Sequence, residues 1–310
     1  MGTGLLFPGQ ASQFPGMGRE LHDAYPAARE VFDEASEALG VSLSELCFRG
    51  SEEDLRLTEN TQPSIFTVSV AAYRVVTLET GIRPLCAAGH SLGEYSALVA
   101  SGALALSEAA RLLRSRGRFM QEAVPEGEGA MAAVIGLPPE VVQEICRDSG
   151  EKGVVEPANF NGGDQIVISG SAIAVAAACE AAKSAGARKV MPLPVSAPFH
   201  CSLMKPAAER LSPQLRAAAP GTFSYPVVSN VTAMPYPQGE GVAEPLIRQI
   251  VSPVRWEECV RRMRVMGVTS FLEVGPGKVL SGLVRRIEKD VPTAAFCGPA
   301  DLGAARALAG

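Results

Sequence analysis

The pentapeptide Gly89-His90-Ser91-Leu92-Gly93 constrains this 310-residue chain more than any other stretch. It follows a short apolar run, Leu85-Cys86-Ala87-Ala88, and leads into Glu94 to Val99, whose pattern reads as helix. The spacing G-x-S-x-G at a strand-to-helix turn is that of a nucleophile elbow. Its glycines let the backbone turn sharply, and the serine hydroxyl is pushed out at the strand's carboxyl end. The free N–H groups of the following helix point to the same spot. Ser91 is therefore the candidate nucleophile, and an α/β fold is predicted around it.

Composition narrows the class. With 47% hydrophobic residues the chain can bury a large core in one or two domains. A net charge of −5 without a basic stripe, and an aromatic content of 5%, point away from nucleic acid as a partner. Seven cysteines, an odd number with no C-x-x-C spacing, read as thiols of a reduced, cytoplasmic protein rather than a disulfide or zinc scaffold. No window reaches the roughly 18 uninterrupted apolar residues of a membrane span, so no membrane partner is expected.

Gly4 to Phe7 reads as a short buried strand running into Pro8-Gly9-Gln10-Ala11-Ser12-Gln13. In a parallel sheet such turns gather at the carboxyl edge, so Gln10 either lies beside Ser91 or belongs to a plain loop. Pro26 to Leu39 predicts a helix closed by Gly40, Ser51 to Asp54 a helix N-terminus, and Gln62 to Thr80 a long apolar helix ending at Gly81. After the polar break at Pro125 to Gly129 the order changes. Ala130 to Ile135 reads as strand, Pro139 to Arg147 as helix, Val154 to Asn159 and Gln165 to Ser169 as strands, Ala172 to Ala185 as helix, and Lys189 to Val195 as strand. This β-α-β-β-α-β order is the ferredoxin-like motif. The expected organisation is a large α/β catalytic domain, residues 1–126 and 197–310, interrupted by a ferredoxin-like subdomain, residues 127–196. Asn159, Asn161, Gly162 and Gly163 fall at its central hairpin, where turn chemistry accounts for them.

The helix announced by Ser107-Glu108 carries four arginines. At about 100° per residue Arg111, Arg114 and Arg118 share a solvent face, whereas Arg116 falls among Leu112, Leu113, Phe119 and Met120. An unpaired buried guanidinium is very costly, so an anion should meet it: a structural Asp or Glu, or the carboxylate of a substrate. Ser91 also needs a proton acceptor at neutral pH, and the chain has three histidines. His22 lies on an exposed amphipathic helix, and His90 must diverge from its neighbour in the turn. His200, in the loop Ser196 to Cys201, remains as the candidate base; His200-Cys201 is not a metal-ligand spacing.

Five stretches together, Phe7 to Gln13, Gly89 to Tyr95, Arg116 to Gln121, Pro198-Phe199-His200 and Glu273 to Gly277, resemble the malonyl-CoA:acyl carrier protein transacylase family, in this order and over nearly the whole chain. The resemblance implies an α/β-hydrolase-like large domain with an inserted ferredoxin-like small subdomain. It implies that Ser91 takes the malonyl group of malonyl-CoA as an ester, with His200 as general base and then acid. By the same resemblance the N–H groups of Gln10 and Leu92 form the oxyanion hole, the main-chain carbonyl of Gln249 orients His200, and Arg116 pairs with the free malonyl carboxylate. The acceptor is then the phosphopantetheine thiol of an acyl carrier protein, in fatty acid or polyketide synthesis, with no cofactor and no metal. Phe199 and Leu92 resemble the malonyl-using members, where a bulky ring restricts space for an α-methyl branch. Ala11 departs from the pattern, since many relatives have glycine there.

Rival readings use the same serine and histidine differently. An esterase or thioesterase would favour a carboxylate partner for His200 and has no use for Arg116. An acyl hydrolase that edits carrier proteins handles monocarboxylic groups, against which Arg116 again argues, and a non-catalytic scaffold has no need of Ser91 and His200. Because carrier proteins are acidic, Arg188, Lys189, Lys278, Arg285, Arg286 and Lys289 are the expected complementary charges. A monomer is expected.

Overall fold

The apolar runs of the sequence become strands of two sheets. The computed structural model describes residues 2–309, so residues 1 and 310 of the expected large domain lie outside the described residues. Its strands are β1 (Thr3–Phe7), β2 (Cys86–Gly89), β3 (Gly129–Ile135), β4 (Val155–Gly162), β5 (Gln165–Ser171), β6 (Lys189–Pro192), β7 (Val227–Val228), β8 (Ser270–Val274) and β9 (Thr293–Phe296).

One sheet is parallel throughout, in the order β7-β2-β1-β8-β9. β1, β2 and β8 are buried along their whole length, as a parallel sheet covered on both faces requires. Successive residues therefore serve opposite cores. Leu5, Phe7, Ala87, Leu272 and Val274 pack into the cluster that contains Ile65, Phe66 and Val70 of helix Thr58–Thr80. Leu6, Cys86, Ala88 and Phe271 meet Trp256, Val260 and Met263 of helix Trp256–Val265 and Leu280 and Val284 of helix Val279–Ile287. Leu5, Leu6 and Phe7 are fully buried, each contributing about 1.5–3 kcal/mol. Pairing of Phe7 with Gly89 brings the carboxyl ends of β1 and β2 side by side. The Pro8-Gly9-Gln10 turn consequently starts next to the Ser91 turn.

The second sheet is antiparallel, in the order β4-β5-β3-β6. Its own core sets Ala132, Val134, Ile166 and Ile168 against Val142 and Cys146 of helix Pro139–Ser149 and Ala174, Val175 and Ala178 of helix Ala172–Ser184. The other face, Met131, Ala133 and Val167, joins the large core. Two backbone bonds of 2.9 Å, from Phe160 N–H to the Val254 carbonyl and from Val254 N–H to the Ala158 carbonyl, tie the units together. The chain thus has a large α/β unit and a small ferredoxin-like one. No helix among the described residues is long and apolar enough to cross a membrane.

Two local expectations are corrected. The long helix begins at Thr58, not Gln62, and carries Pro63 inside it. Pro63 lacks the N–H that would serve the Glu59 carbonyl, and Arg114 takes that oxygen at 3.1 Å instead. The central hairpin turns at Gly163-Asp164, both with φ near +60°, as a two-residue primed turn needs. Asn159 and Asn161 are therefore strand residues of β4, bulged at Pro157/Asn159 and Phe160/Gly162, and not turn residues. Motif residue Glu273 has a scaffold role: its buried carboxylate accepts from the N–H groups of Leu280 at 3.0 Å and Ser281 at 2.7 Å, closing the start of helix Val279–Ile287.

Gly117 lets helix Leu106–Glu122 approach helix Thr58–Thr80, because a Cβ there would lie 2.5 Å from the Thr58 carbonyl oxygen. Ordinary helix propensity would reward Gly117→Ala by about 0.5–1 kcal/mol. The clash should win, with a net loss of about 1–3 kcal/mol, read as a lower denaturant midpoint at unchanged slope.

Candidate active site

Ser91 follows β2 with φ +53°, in the left-handed region that a non-glycine residue avoids. The turn is held from below. Ser91 N–H donates to Asn230 Oδ1 at 2.8 Å, and Asn230 Nδ2 donates to the Gly89 carbonyl at 2.7 Å. The flanking glycines answer close approaches, for a Cβ on Gly89 would sit 1.9 Å from the Gly93 carbonyl carbon and one on Gly93 would sit 2.2 Å from the Phe7 carbonyl oxygen. Helix Gly93–Ala100 then starts directly behind the serine.

His200, itself at φ +61°, places Nε2 2.7 Å from Ser91 Oγ. Its Nδ1 lies 2.9 Å from the Gln249 main-chain oxygen. A carbonyl only accepts, so Nδ1 carries the proton and Nε2 keeps its lone pair for the serine. Burial, with the Arg116 cation acting in the same direction, pushes the His200 pKa down to about 3. The imidazole is therefore neutral at working pH. His90 does not pair with Ser91: its Nε2 lies 2.9 Å from Asn161 Oδ1 and its ring 5.5 Å from that of Trp256. His22 packs against Phe32 and Phe48, away from the serine.

Arg116 is 2% exposed. Among the described residues no Asp or Glu pairs with it; of the two partners left open by the sequence, the structural acid is absent. Its Nη1 donates to Gln62 Oε1 at 2.8 Å, and its Nη2 to Gln249 Oε1 at 2.9 Å and Ser91 Oγ at 3.1 Å. The Tyr95 ring lies 5.8 Å from its carbon. Nε has no partner among the described residues. The guanidinium stays charged, so a buried cation with no carboxylate in contact faces the nucleophile.

Ser91, His200, Arg116, Gln62 and His90 line a cavity of about 120 Å³ together with Gln10, Ala11, Met120, Met131, Asn159, Leu193, Val195 and Phe199. Gln10, Ala11, Leu193 and Val195 also border an adjoining cleft of about 700 Å³, which leads to the surface past Glu52, Glu53 and Arg56. Gln10 thus lies beside Ser91 and is not part of a detached loop. Among the described residues neither the Gln10 nor the Leu92 amide has an internal hydrogen-bond partner. Ala11 holds φ +78°, a conformation costing a residue with a Cβ about 1–2 kcal/mol, which accounts for glycine being at ease there. Phe199 is 7% exposed and forms part of the wall.

Sequence reasoning missed Gln62, Glu94, Asn159, Asn161 and Asn230, and missed the side chain of Gln249. One signal was available: Glu94 is an acid in a segment otherwise destined for burial, one residue past the pentapeptide.

Residues 5–303 match the acyl transferase domain family. The chain is 50% identical over 296 residues to a malonyl CoA-acyl carrier protein transacylase of Bacillus subtilis, covering 95% of this chain and 93% of the relative. It is 46% identical over 304 residues to the Escherichia coli K12 protein of the same description, covering 98% of each. Among solved structures it is similar to the malonyl CoA-acyl carrier protein transacylase of Coxiella burnetii, with a TM-score of 0.97 and 40% identity over 100% of this chain and 98% of that one. A malonyl-transacylase in complex with its type II PKS acyl-carrier protein superposes with a TM-score of 0.95 at 44% identity, covering 99% of both.

Because His200 titrates far below its ordinary 6.5, acylation of Ser91 should be insensitive to pH between about 5 and 7. Removing the cation in Arg116→Ala raises the His200 pKa, so an acid limb moves upward, visible in stopped-flow loading from acetyl-CoA; superimposable profiles would show that the charge is not felt. The linked effect on stability has a definite sign. Between about 3 and 6.5 the unfolded chain binds the extra proton, so His200 lowers stability as pH falls through that window.

Proposed function

This chain belongs to the malonyl CoA-acyl carrier protein transacylase family, and from that premise we propose how its own residues carry out the transfer. The protein is an acyltransferase that moves a malonyl group from malonyl-CoA to the phosphopantetheine thiol of an acyl carrier protein, for fatty acid or polyketide synthesis. One observation carries the residue assignment: a buried cation without a carboxylate stands 3.1 Å from a serine that is hydrogen-bonded to a neutral histidine.

Ser91 Oγ attacks the thioester carbonyl while His200 Nε2 takes its proton. The carbonyl oxygen becomes an oxyanion, received by the N–H groups of Gln10 and Leu92 at about 3 kcal/mol of barrier per donor. When the tetrahedral intermediate collapses, the C–S bond breaks and His200 returns the proton to the departing CoA sulfur. The malonyl ester then remains on Ser91. The carrier thiol repeats the sequence in reverse roles, giving its proton to His200, forming the new C–S bond and releasing Ser91 with the proton back on Oγ. No cofactor is called for, since nucleophile, base and oxyanion donors all belong to the chain.

Arg116 holds the free carboxylate. Three of its N–H groups are engaged by Gln62, Gln249 and Ser91, and the planar fork still has donors to offer. Charge-assisted hydrogen bonds are worth about 1.5–3 kcal/mol each, so a dicarboxylic acyl group should outcompete acetyl by roughly 100-fold. Discrimination against an α-methyl branch rests on Phe199 and is smaller, about 1–3 kcal/mol. The enzyme acts as a monomer in the cytoplasm.

The assignment is tested by intact-protein mass after brief mixing with malonyl-CoA, acetyl-CoA or methylmalonyl-CoA. Malonyl addition should vanish in Ser91→Ala and give way to acetyl in Arg116→Ala. Equal malonyl and acetyl loading of the wild type would remove Arg116 as selector and favour the acyl hydrolase.

For the carrier, Lys189 sits opposite Ile135, Ile135 opposite Gln165, and Gln165 Oε1 accepts from Arg286 Nη1 at 2.7 Å. Arg188, Lys189 and Arg286 therefore gather at one end of the small sheet, a surface suited to an acidic carrier, whereas Arg285 donates to the Thr293 carbonyl of β9 at 3.2 Å. Reversing charge at Arg188, Lys189 and Arg286 should slow transfer to the carrier about tenfold while leaving Ser91 loading from malonyl-CoA intact; undiminished transfer rules this surface out.

A further inference from the structure

The transfer cycle uses Ser91, His200, Arg116 and two amides, and leaves one buried acid without a task. Glu94 has no exposed surface. It sits in the first turn of helix Gly93–Ala100, immediately behind the serine, where the helix N-terminus favours a negative charge. Every group that faces it donates. Tyr236 O–H gives to Oε1, and the Asn230 N–H, at 3.1 Å, and Gln249 Nε2, at 2.6 Å, give to Oε2. Ser229 stands at its margin, and Cys259, Tyr95 and Arg116 are further titratable groups that feel its charge. Burial raises its proton affinity, and these donors work against that rise.

Gln249 connects this acid to the cation. Its Nε2 is fixed by two acceptors, Glu94 Oε2 at 2.6 Å and the Ser91 carbonyl at 3.0 Å. An amide has one donating and one accepting end, so Oε1 is obliged to face Arg116 Nη2, 2.9 Å away. The main-chain oxygen of the same residue receives His200 Nδ1. A single neutral amide thus separates the buried carboxylate from the buried guanidinium. Resting on the malonyl-transfer reading, we infer that Glu94 is the positioning residue of the carboxylate clamp: through the Gln249 side chain it orients Arg116 toward Ser91 and balances its charge while leaving the guanidinium's donors to the substrate.

The separation is what makes the arrangement useful. In direct contact an acid would occupy two N–H groups of the fork and compete with the malonyl carboxylate for them. Moved back by one amide it touches none itself, and the relay engages a single N–H, the one given to Gln249 Oε1; Coulomb attraction meanwhile falls only with the first power of distance and persists in a dry interior. Glu94 is held back in this way, and Gln249 cannot rotate its oxygen away from Arg116 without placing that oxygen against the carboxylate.

The decisive comparison is Glu94→Gln, assayed for kcat and KM of Ser91 loading with malonyl-CoA and acetyl-CoA. A glutamine at 94 can donate as well as accept, so the Gln249 amide loses its fixed sense and Arg116 its counter-charge. The malonyl-to-acetyl ratio of kcat/KM should fall about tenfold or more, and in an Arg116→Ala background the same substitution should leave the ratio where Arg116→Ala puts it. A ratio equal to that of the wild type, whether both activities drop together or neither does, overturns the inference. Should Glu94→Gln not fold, Tyr236→Phe removes one donor from the far side of the carboxylate without touching Gln249 or Arg116. It should lower the ratio by about threefold, and an unchanged ratio counts against the inference in the same way. Wild-type labelling separates the two levels: no malonyl ester on Ser91 defeats the transfer reading itself, whereas a malonylated wild type with unaltered variants defeats only the role of Glu94.

Discussion

A guanidinium confined among neutral oxygens is the constraint from which the rest of the site follows. Desolvating Arg116 is expensive, and its neighbours are arranged to contain that cost without cancelling the charge: the oxygens of Gln62 and Gln249, the Ser91 hydroxyl and the face of Tyr95. The same cation sets the state of the base. Together with burial it keeps His200 neutral, so one residue both selects the acyl group and holds its neighbour ready to accept a proton. A carboxylate behind the imidazole, in the manner of a triad, would pull in the opposite direction. A main-chain carbonyl fixes the tautomer with no such pull.

The scaffold supplies strain where the chemistry needs it. Ser91, His200 and Ala11 all sit at positive φ; Ser91 is held by Asn230 and His200 by Gln249, while the Ala11 N–H bonds locally to Gln13 Oε1. Such outliers gather where a rigid surround can over-determine them. Here the surround is the parallel sheet, whose β1 and β2 end at the same level.

Much of this was legible in the sequence, for identifiable reasons. Ser91 was visible because the elbow is local, Arg116 because helical periodicity placed it among apolar residues, and His200 because few histidines competed for the role. Resemblance, not pattern, supplied Gln10, Leu92, Phe199 and Gln249. The βαββαβ order announced the small sheet because each of its elements is short and cleanly bounded. What stayed hidden depends on juxtaposition. Glu94 and Gln249 are 155 positions apart, and Asn230 reaches the elbow across 139. Nothing local distinguishes such polar residues from ordinary ones. Asn161 was obscured by its neighbours, because glycines beside it imitate a turn that in fact begins two residues later.

The small sheet has a core of its own on one face, and its other face joins the large core and turns Met131, Asn159 and the segment Leu193 to Val195 toward the serine cavity. Bond-making groups therefore come from one unit and much of the cavity wall from the other. Such a division makes the inserted segment an exchangeable cassette: a lineage can reshape the acyl chamber by drifting in residues 129–195 while Ser91, His200 and Arg116 stay as they are. The limit on that drift is the seam at Val254, where the cassette is stitched by backbone bonds that care little about side-chain identity.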